Sequence, residues 1–550
     1  MKPQPIDRWD RETTLVVQIA AFASLLSFLY FFRHGDLLLY GDAVAHINIA
    51  RRVFDSRTPG LLQLGTVWLP LPHLLMIPFL FADSAWRTGI GGSIPSLAAY
   101  VLGTVGVFRL ARSVLSRDGK PDPTVRAAAW AAAVIYAANP NLLYLQSTAM
   151  TESLYLALFI WAVVYFAEFA KATATSDKAN VDADSSLAKC GFCLLGACLT
   201  RYDGWFLASV VGLAALVIVL KSHRNQQTLR RSFVKFILLT AVAPVFWLAY
   251  NAAVYRNPLE FANGPYSAPA IAQRSATATM PSHPGAHDLP TAASFFLKAG
   301  ELVMAEGNWH RLWVLLLAAG ALMILIFEGR LWPLLLLLLP IPFYALSIAD
   351  GGVPIYLPVW WPFSSYNTRY GLELLPGFAV LAAVAAYFLL GRVHNKTARA
   401  VVGFVFAGWV GISYAGVWRT QPVCYREAVI NSRTRIALET ELASNLRMLP
   451  HDSTLLMYLG DHVGALQQAG IPLHRVINEG NHRPWRKPLD ESGLWEQALA
   501  NPKQHVDYVI ALDGDPVAAS VQKRDLQSMT VVHATGQPPA TIYWTQRSSR

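Results

Sequence analysis

Charge is what this 550-residue sequence has little of: Asp, Glu, Lys and Arg make up 15% of it, where soluble domains carry roughly 25%. The deficit is concentrated in a series of apolar blocks, each near the roughly 20 residues a helix needs to cross a bilayer. Cysteine is also scarce. Four are present, and Cys190, Cys193 and Cys198 fall inside one apolar block while Cys424 follows another; no disulfide framework is implied, and small-residue helix packing is favoured over a redox-active or metal-binding C-x-x-C pair. No Walker loop, no G-x-G-x-x-G fingerprint and no His/Cys metal cluster stands in a fitting context. No Asp-x-Asp pair precedes the C-terminal region, and Asp513-Gly514-Asp515 reads as a turn, so the sequence does not indicate a metal ion or any other cofactor.

What is present is a polytopic α-helical membrane protein. Apolar blocks lie at Thr13–Phe32, Ser93–Val114, Ala127–Tyr144, Ser153–Ala170, Leu187–Leu199, Trp205–Leu220 and Phe233–Val254. Four more lie at Leu312–Phe327, Leu331–Ile348, Leu372–Leu390 and Ala400–Trp418, for about eleven spans. The first follows Lys2, Arg8 and Arg11 and is too long for a signal-peptide core, so it reads as a retained helix. Leu61–Phe81 is apolar but interrupted by Pro70, Pro72 and Pro78. If it lies in the interface, three basic loops face the cytoplasm: Arg109/Arg112/Arg117/Lys120/Arg126, Lys221/Arg224/Arg230/Arg231/Lys235 and Arg392/Lys396/Arg399. That satisfies the positive-inside rule, whereas a spanning segment violates it at each loop. The net charge of +10 thus reflects topology, not nucleic-acid binding.

The expected topology places the N-terminus in the cytoplasm and the C-terminus outside. Residues 1–419 form the membrane module, with a first external loop at 33–87 and a long external loop at 255–311. From about Thr420 the composition becomes that of a small soluble α/β domain, 420–550. Strands are expected at Ser453–Tyr458, Leu473–Ile477, Tyr508–Leu512 and Thr530–His533, with helices at Glu427–Leu449 and His462–Ala469.

Four polar motifs fall on the external side: Gly41-Asp42-Ala43-Val44-Ala45-His46, Thr151-Glu152-Ser153, Arg201-Tyr202-Asp203-Gly204-Trp205 and Asn367-Thr368-Arg369-Tyr370-Gly371. Charge at membrane depth is costly and marks a site or pathway, so the four suggest one cavity. Asp42 and His46 lie one helical turn apart. Asp42 is either a helix cap or a general base that takes a proton from an acceptor hydroxyl, and the two roles are compatible. Glu152 at a helix start suits the positive helix end as well as a catalytic role. Arg201 and Asp203 suit a mutual pair, while Arg201 and Arg369 supply the fixed positive charge that a phosphate requires. His73 and His310 read as interfacial histidines. In the C-terminal region, Asn478-Glu479-Gly480-Asn481-His482 with Trp485 reads as a loop, or as a surface that stacks on a sugar.

The Thr-Glu-Ser-Leu-Tyr helix start, the Arg-Tyr-x-Gly-Trp turn and the Arg-Tyr-Gly-Leu-x-Leu-Leu-Pro run at Arg369–Pro376 resemble motifs of the GT-C superfamily of membrane glycosyltransferases. The likeness is to bacterial members related to the protein mannosyltransferases and aminoarabinose transferases. An early external Asp, an interfacial Pro-rich segment and an external C-terminal domain are similar too. The resemblance implies transfer of a hexose or pentose, mannose-like, from a polyprenyl-phosphate donor to an acceptor hydroxyl of a lipid, glycan or protein, outside the plasma (inner) membrane. It makes Asp42 the base and Glu152 a second catalytic carboxylate. Arg201, Arg369 and His46 become donor-phosphate ligands, and Tyr202, Asp203, Trp205 and Tyr370 substrate contacts. Where the protein mannosyltransferases show Asp-Glu, this chain has Asp42-Ala43, which argues against a protein acceptor. Two other readings stay open: a transporter or flippase of a lipid-linked saccharide, which internal repeats and broken helices in both halves would favour, and a polymerase or ligase that moves a whole glycan.

Overall fold

The computed structural model describes residues 10–116, 122–174, 180–222, 226–265, 267, 270, 283–481, 493–521 and 526–546. Lys2, Arg8, Arg117, Lys120, Arg224, His482 and Trp485 lie outside them.

Among the described residues, nine helical segments are long and apolar enough to cross a membrane. Their ends follow local rules. Helix Arg11–His34 starts at Asp10, whose carboxylate accepts the Thr13 N–H at 2.9 Å, and ends at Gly35 with φ +79°, the left-handed stop that glycine takes without strain. Large apolar side chains such as Phe22, Leu25, Leu213, Leu238 and Phe404 remain exposed along these helices, the face that lipid covers. The remaining two expected blocks are also helical. Residues 127–144 split into Pro123–Ala137 and Pro140–Leu145, because Asn139 caps the second piece and Pro140 starts it. Residues 187–199 lie in Asn180–Cys198. All four cysteines are free thiols.

Residues 61–81 form no continuous helix. They fold as Leu61–Leu64, Leu71–Met76 and Ile77–Phe79, and the longest of these, 6 residues, spans about 9 Å at 1.5 Å per residue. The prolines enforce the breaks. The stretch expected as a long loop at 255–311 instead contains a 16-residue helix, Leu289–Met304, capped by Asp288 and opened by Pro290. That cap-and-proline signal was readable, but the surrounding Pro- and Ser-rich composition obscured it.

Past helix Val423–Leu446 the chain forms a five-stranded sheet: β1 (Leu455–Met457), β2 (Val476–Ile477), β3 (Tyr508–Leu512), β4 (Gln527–Val532) and β5 (Ala540–Trp544). The order is β2-β1-β3-β5-β4. β1 pairs in parallel with β2 and β3, while β5 runs antiparallel to β3 and β4. The sequence reading missed β5, whose Ala-Thr-Ile-Tyr-Trp run is only 5 residues long. Asp515 caps helix Pro516–Ser520 and Gly514 takes φ +89°, so the Asp513-Gly514-Asp515 turn leads directly into a helix.

Candidate functional site

Five carboxyl groups surround two guanidinium groups where the ends of five segments meet. Arg369 lies in the 3-10 helix Thr368–Leu374. Its guanidinium contacts Asp42 at 2.5 Å, Glu152 at 3.1 Å and Glu427 at 3.2 Å. Arg201, just before helix Asp203–Lys221, contacts Asp203 and Glu373 at 3.1 Å each and donates to the Tyr344 hydroxyl at 2.8 Å. Glu152 joins the two halves, since its Oε1 is also 3.8 Å from Arg201. The Tyr370 ring lies between the cations, with Arg201 4.7 Å and Arg369 4.9 Å from its centroid. A ring face attracts a cation, so Tyr370 spaces two like charges that would otherwise repel.

Each member is held by its own element. Asp42 lies in the first turn of helix Gly41–Arg52, but the capping position belongs to Tyr40, so Asp42 is not a helix cap. Its side chain is free to reach Arg369. Asn367 takes φ +57°, which turns the Thr368 N–H onto Glu427 at 2.7 Å. Tyr40 donates from its hydroxyl to the Cys424 carbonyl at 2.8 Å, tying helix Gly41–Arg52 to helix Val423–Leu446. The Oε2 atoms of Glu152 and Glu373 are buried without a hydrogen-bond partner, a costly state for a carboxylate. Asp42 differs from the others. Its side chain is 38% exposed, whereas those of Glu152, Glu373 and Glu427 are at most 1% exposed.

The structure thus brings together Asp42, Glu152, Arg201, Asp203, Arg369 and Tyr370. The Arg201–Asp203 pair forms as expected, within a larger network. Tyr202 and Trp205 point elsewhere. The Tyr202 hydroxyl donates to the Val67 carbonyl at 3.1 Å and accepts from Trp247 at 3.1 Å, and the Trp205 indole donates to the Cys198 carbonyl at 3.0 Å. Both rings pack on Phe261; Tyr202 is tied to the 61–81 segment through Val67, and Trp205 to the end of helix Asn180–Cys198. His46 makes no hydrogen bond to either arginine. Its Nδ1 stands 2.9 Å from His73 Nε2, and both rings are buried. Burial, with the nearby charges of Arg369 and Arg201, pushes the His46 imidazole down to about 3, so the pair is neutral near pH 7. His310 is also paired, 2.8 Å from Lys298 and 3.1 Å from Glu301.

Sequence reasoning missed Glu373, Glu427 and Tyr344. Glu373 carried a usable signal, a carboxylate in an otherwise apolar spanning segment. Glu427 sits on an amphipathic helix where a glutamate is ordinary. Among the described residues no group of three His, Cys, Asp or Glu side chains is arranged to hold a metal ion.

No family model and no curated protein matches this sequence. Solved structures do match the fold. ArnT from Cupriavidus metallidurans bound to undecaprenyl phosphate aligns over 98% of this chain and 99% of that chain, at a TM-score of 0.54 and 13% identity. The same enzyme in the apo state aligns over 98% of each chain, at 0.55 and 14%. The archaeal oligosaccharyltransferase AglB from Archaeoglobus fulgidus aligns over 92% of this chain and 70% of that chain, at 0.47 and 13%. The chain has the GT-C fold that its motifs suggested.

Proposed function

We propose that this protein is a glycosyltransferase that moves a sugar from a polyprenyl-phosphate donor to an acceptor hydroxyl at the extracytoplasmic face of the plasma membrane. One observation carries the reading: in a cluster of buried charges, Asp42 alone among the carboxylates on Arg369 is open to an incoming group while held in ionic contact. The ArnT structure bound to undecaprenyl phosphate, with the same fold, supports the donor class.

In this mechanism Asp42 accepts the hydroxyl proton of the acceptor as its oxygen attacks the anomeric carbon. The bond from that carbon to the phosphate oxygen breaks, and polyprenyl phosphate leaves with the electron pair. The negative charge gained by the leaving phosphate needs a fixed cation. Arg201 suits this role better than Arg369. Among the described residues its Nη1 meets only Thr151 at 3.4 Å and Glu152 at 3.8 Å, whereas each nitrogen of Arg369 is engaged by a carboxylate. Arg369 then orients Asp42, and Glu152 ties the two arginines together. The sugar is a hexose or pentose, and the acceptor a lipid, glycan or protein hydroxyl.

The test is turnover by the purified chain in lipid nanodiscs with labelled polyprenyl-phosphate sugars, reading release of polyprenyl phosphate. Wild type should consume a donor and Asp42→Asn should not, while still binding it. No consumption across a broad panel, or wild-type turnover by Asp42→Asn, overturns the reading. Movement of an intact lipid-linked saccharide between leaflets would point instead to a flippase.

A further inference from the structure

Asp350 and Arg369 bracket a run of 18 residues that contains no charged side chain and five aromatic ones: Tyr356, Trp360, Trp361, Phe363 and Tyr366. Its root is firmly built. Tyr356 and Tyr366 exchange backbone hydrogen bonds of 2.9 and 3.1 Å, Asn367 donates to the Pro354 carbonyl at 2.9 Å, and Trp360 packs edge-on against Phe295 with centroids 5.0 Å apart. The tip is the opposite. Alternate residues Val359, Trp361 and Phe363 turn outward, with Trp361 54% and Phe363 68% exposed.

A loop anchored this well could have folded its aromatics inward against Phe295, as Trp360 does. In water each outward ring leaves apolar area unburied, at about 25 cal/mol per Å², and such patches on soluble surfaces mark interaction sites. The chain on either side indicates what covers this one. The loop joins Gly329–Ala349 to Thr368–Arg392, both long and apolar enough to cross a membrane, so it leaves and re-enters at one membrane face. Tryptophan and other aromatics are favoured at that depth, between headgroups and acyl chains. We infer that the tip Val359–Phe363 is seated in the lipid interface of the leaflet beside the Asp42–Arg369 cluster.

Two consequences follow from the residues. The tip bears no charge, so apolar area governs its seating, and the seating is the same in zwitterionic and anionic lipid. Tyr366 is three residues from Arg369, so the seated loop sets the height of the Arg369–Asp42 pair relative to the lipid surface. The inference concerns the loop alone and does not depend on the transferase reading.

The experiment places an environment-sensitive fluorophore on Phe363→Cys in the full chain, in nanodiscs of zwitterionic lipid with and without anionic lipid. Unlabelled-site wild type serves as the labelling control. A second label goes on Met448→Cys, an 86% exposed position two residues past helix Val423–Leu446. Nitroxide carried on lipid should quench the Phe363→Cys label several-fold more than the Met448→Cys label, and aqueous iodide should show the reverse, in both lipid compositions. Equal iodide quenching at the two positions overturns the inference. Quenching of the Phe363→Cys label by neither agent also overturns it, and assigns the tip to a protein partner or a second copy. Quenching by lipid only when the lipid is anionic overturns the apolar basis of the seating.

Discussion

At the scale of single residues, exposure separates Asp42 from its neighbours. Glu152 and Glu427 grip the same guanidinium but are buried, so their geometry is suited to fixing Arg369. Asp42→Asn should therefore lower kcat by roughly 100- to 10 000-fold, the usual worth of a general base, with donor affinity and melting temperature near wild type. Steady-state kinetics and thermal unfolding on the same preparation check this. His46 predicts a pH dependence. An unfolded imidazole takes up a proton below about 6.5, while the folded one, depressed by burial and by Arg369 and Arg201, waits until about 3. Between those values the unfolded state binds more protons, so stability is lost as pH falls, by up to about 1.4 kcal/mol per pH unit for this group. Melting temperature should drop from pH 7 to pH 5, and His46→Gln should flatten the slope. An unchanged slope in that variant would exclude His46 as the origin. Asp42, Glu152, Arg201 and Arg369 were legible as candidates because each stands in a short polar motif that the expected topology places on one face of the membrane. Glu427 was not, since nothing in its own helix distinguishes it.

At the scale of elements, two contacts set where the charged groups stand. The 3-10 helix Thr368–Leu374 crosses helix Leu289–Met304 at Gly371, where an added Cβ would collide with the backbone carbonyl group of Ala299 and the Gly300 nitrogen. Backbone cannot yield as a side chain tip can. Gly371→Ala should destabilise the protein by about 1–3 kcal/mol or more and disturb Arg369, whereas Gly403→Ala, which meets nothing within 4 Å, should be neutral or mildly stabilising. Comparing the two melting temperatures is the measurement. The second contact grips the approach to helix Gly41–Arg52. Arg435 donates to the carbonyls of Leu38 and Leu39 at 3.0 and 2.9 Å, and Asn48 donates to Gln467 at 2.8 Å. Arg435→Ala should let the Asp42 helix drift. Misplacement of about 1 Å costs on the order of 100-fold in rate, so kcat should fall while KM changes little. An effect on KM alone would contradict this positioning role.

At the scale of the whole molecule, the C-terminal sheet is fastened to the first loop through Asp55. This buried carboxylate accepts from Arg51 at 2.8 Å and from the Leu473 and His474 backbone N–H groups at 3.3 and 3.0 Å, and stands 2.6 Å from the His474 ring. Arg51 in turn reaches Asp83 at 2.6 Å. Burial alone would raise the Asp55 carboxyl, but these donors hold it below the usual carboxylate range. Asp55→Ala leaves the Arg51 Nε and two amides without their acceptor, while Asp83 still pairs with Arg51, a loss of roughly 1–3 kcal/mol for buried donors left unsatisfied. Limited proteolysis should then release the sheet from the membrane region at lower temperature than in wild type. Asn481 and Gln63 add bonds across the same boundary, to Thr58 at 2.8 Å and the Gly480 carbonyl at 2.9 Å.

Hydropathy by itself determined the membrane class and the positions of the apolar helices, because a bilayer imposes a length and a composition that any window of residues must satisfy alone. The topology it implies also put the motifs of Asp42, Glu152, Arg201 and Arg369 on one side of the membrane, where charge close to membrane depth stands out. Only the tertiary structure decided that Glu373 and Glu427 complete the cluster, that Tyr202 bonds to Val67, and that His46 pairs with His73. Those outcomes depend on contacts between residues up to hundreds of positions apart, such as Asp42 with Arg369, and no local pattern along the chain encodes such a meeting.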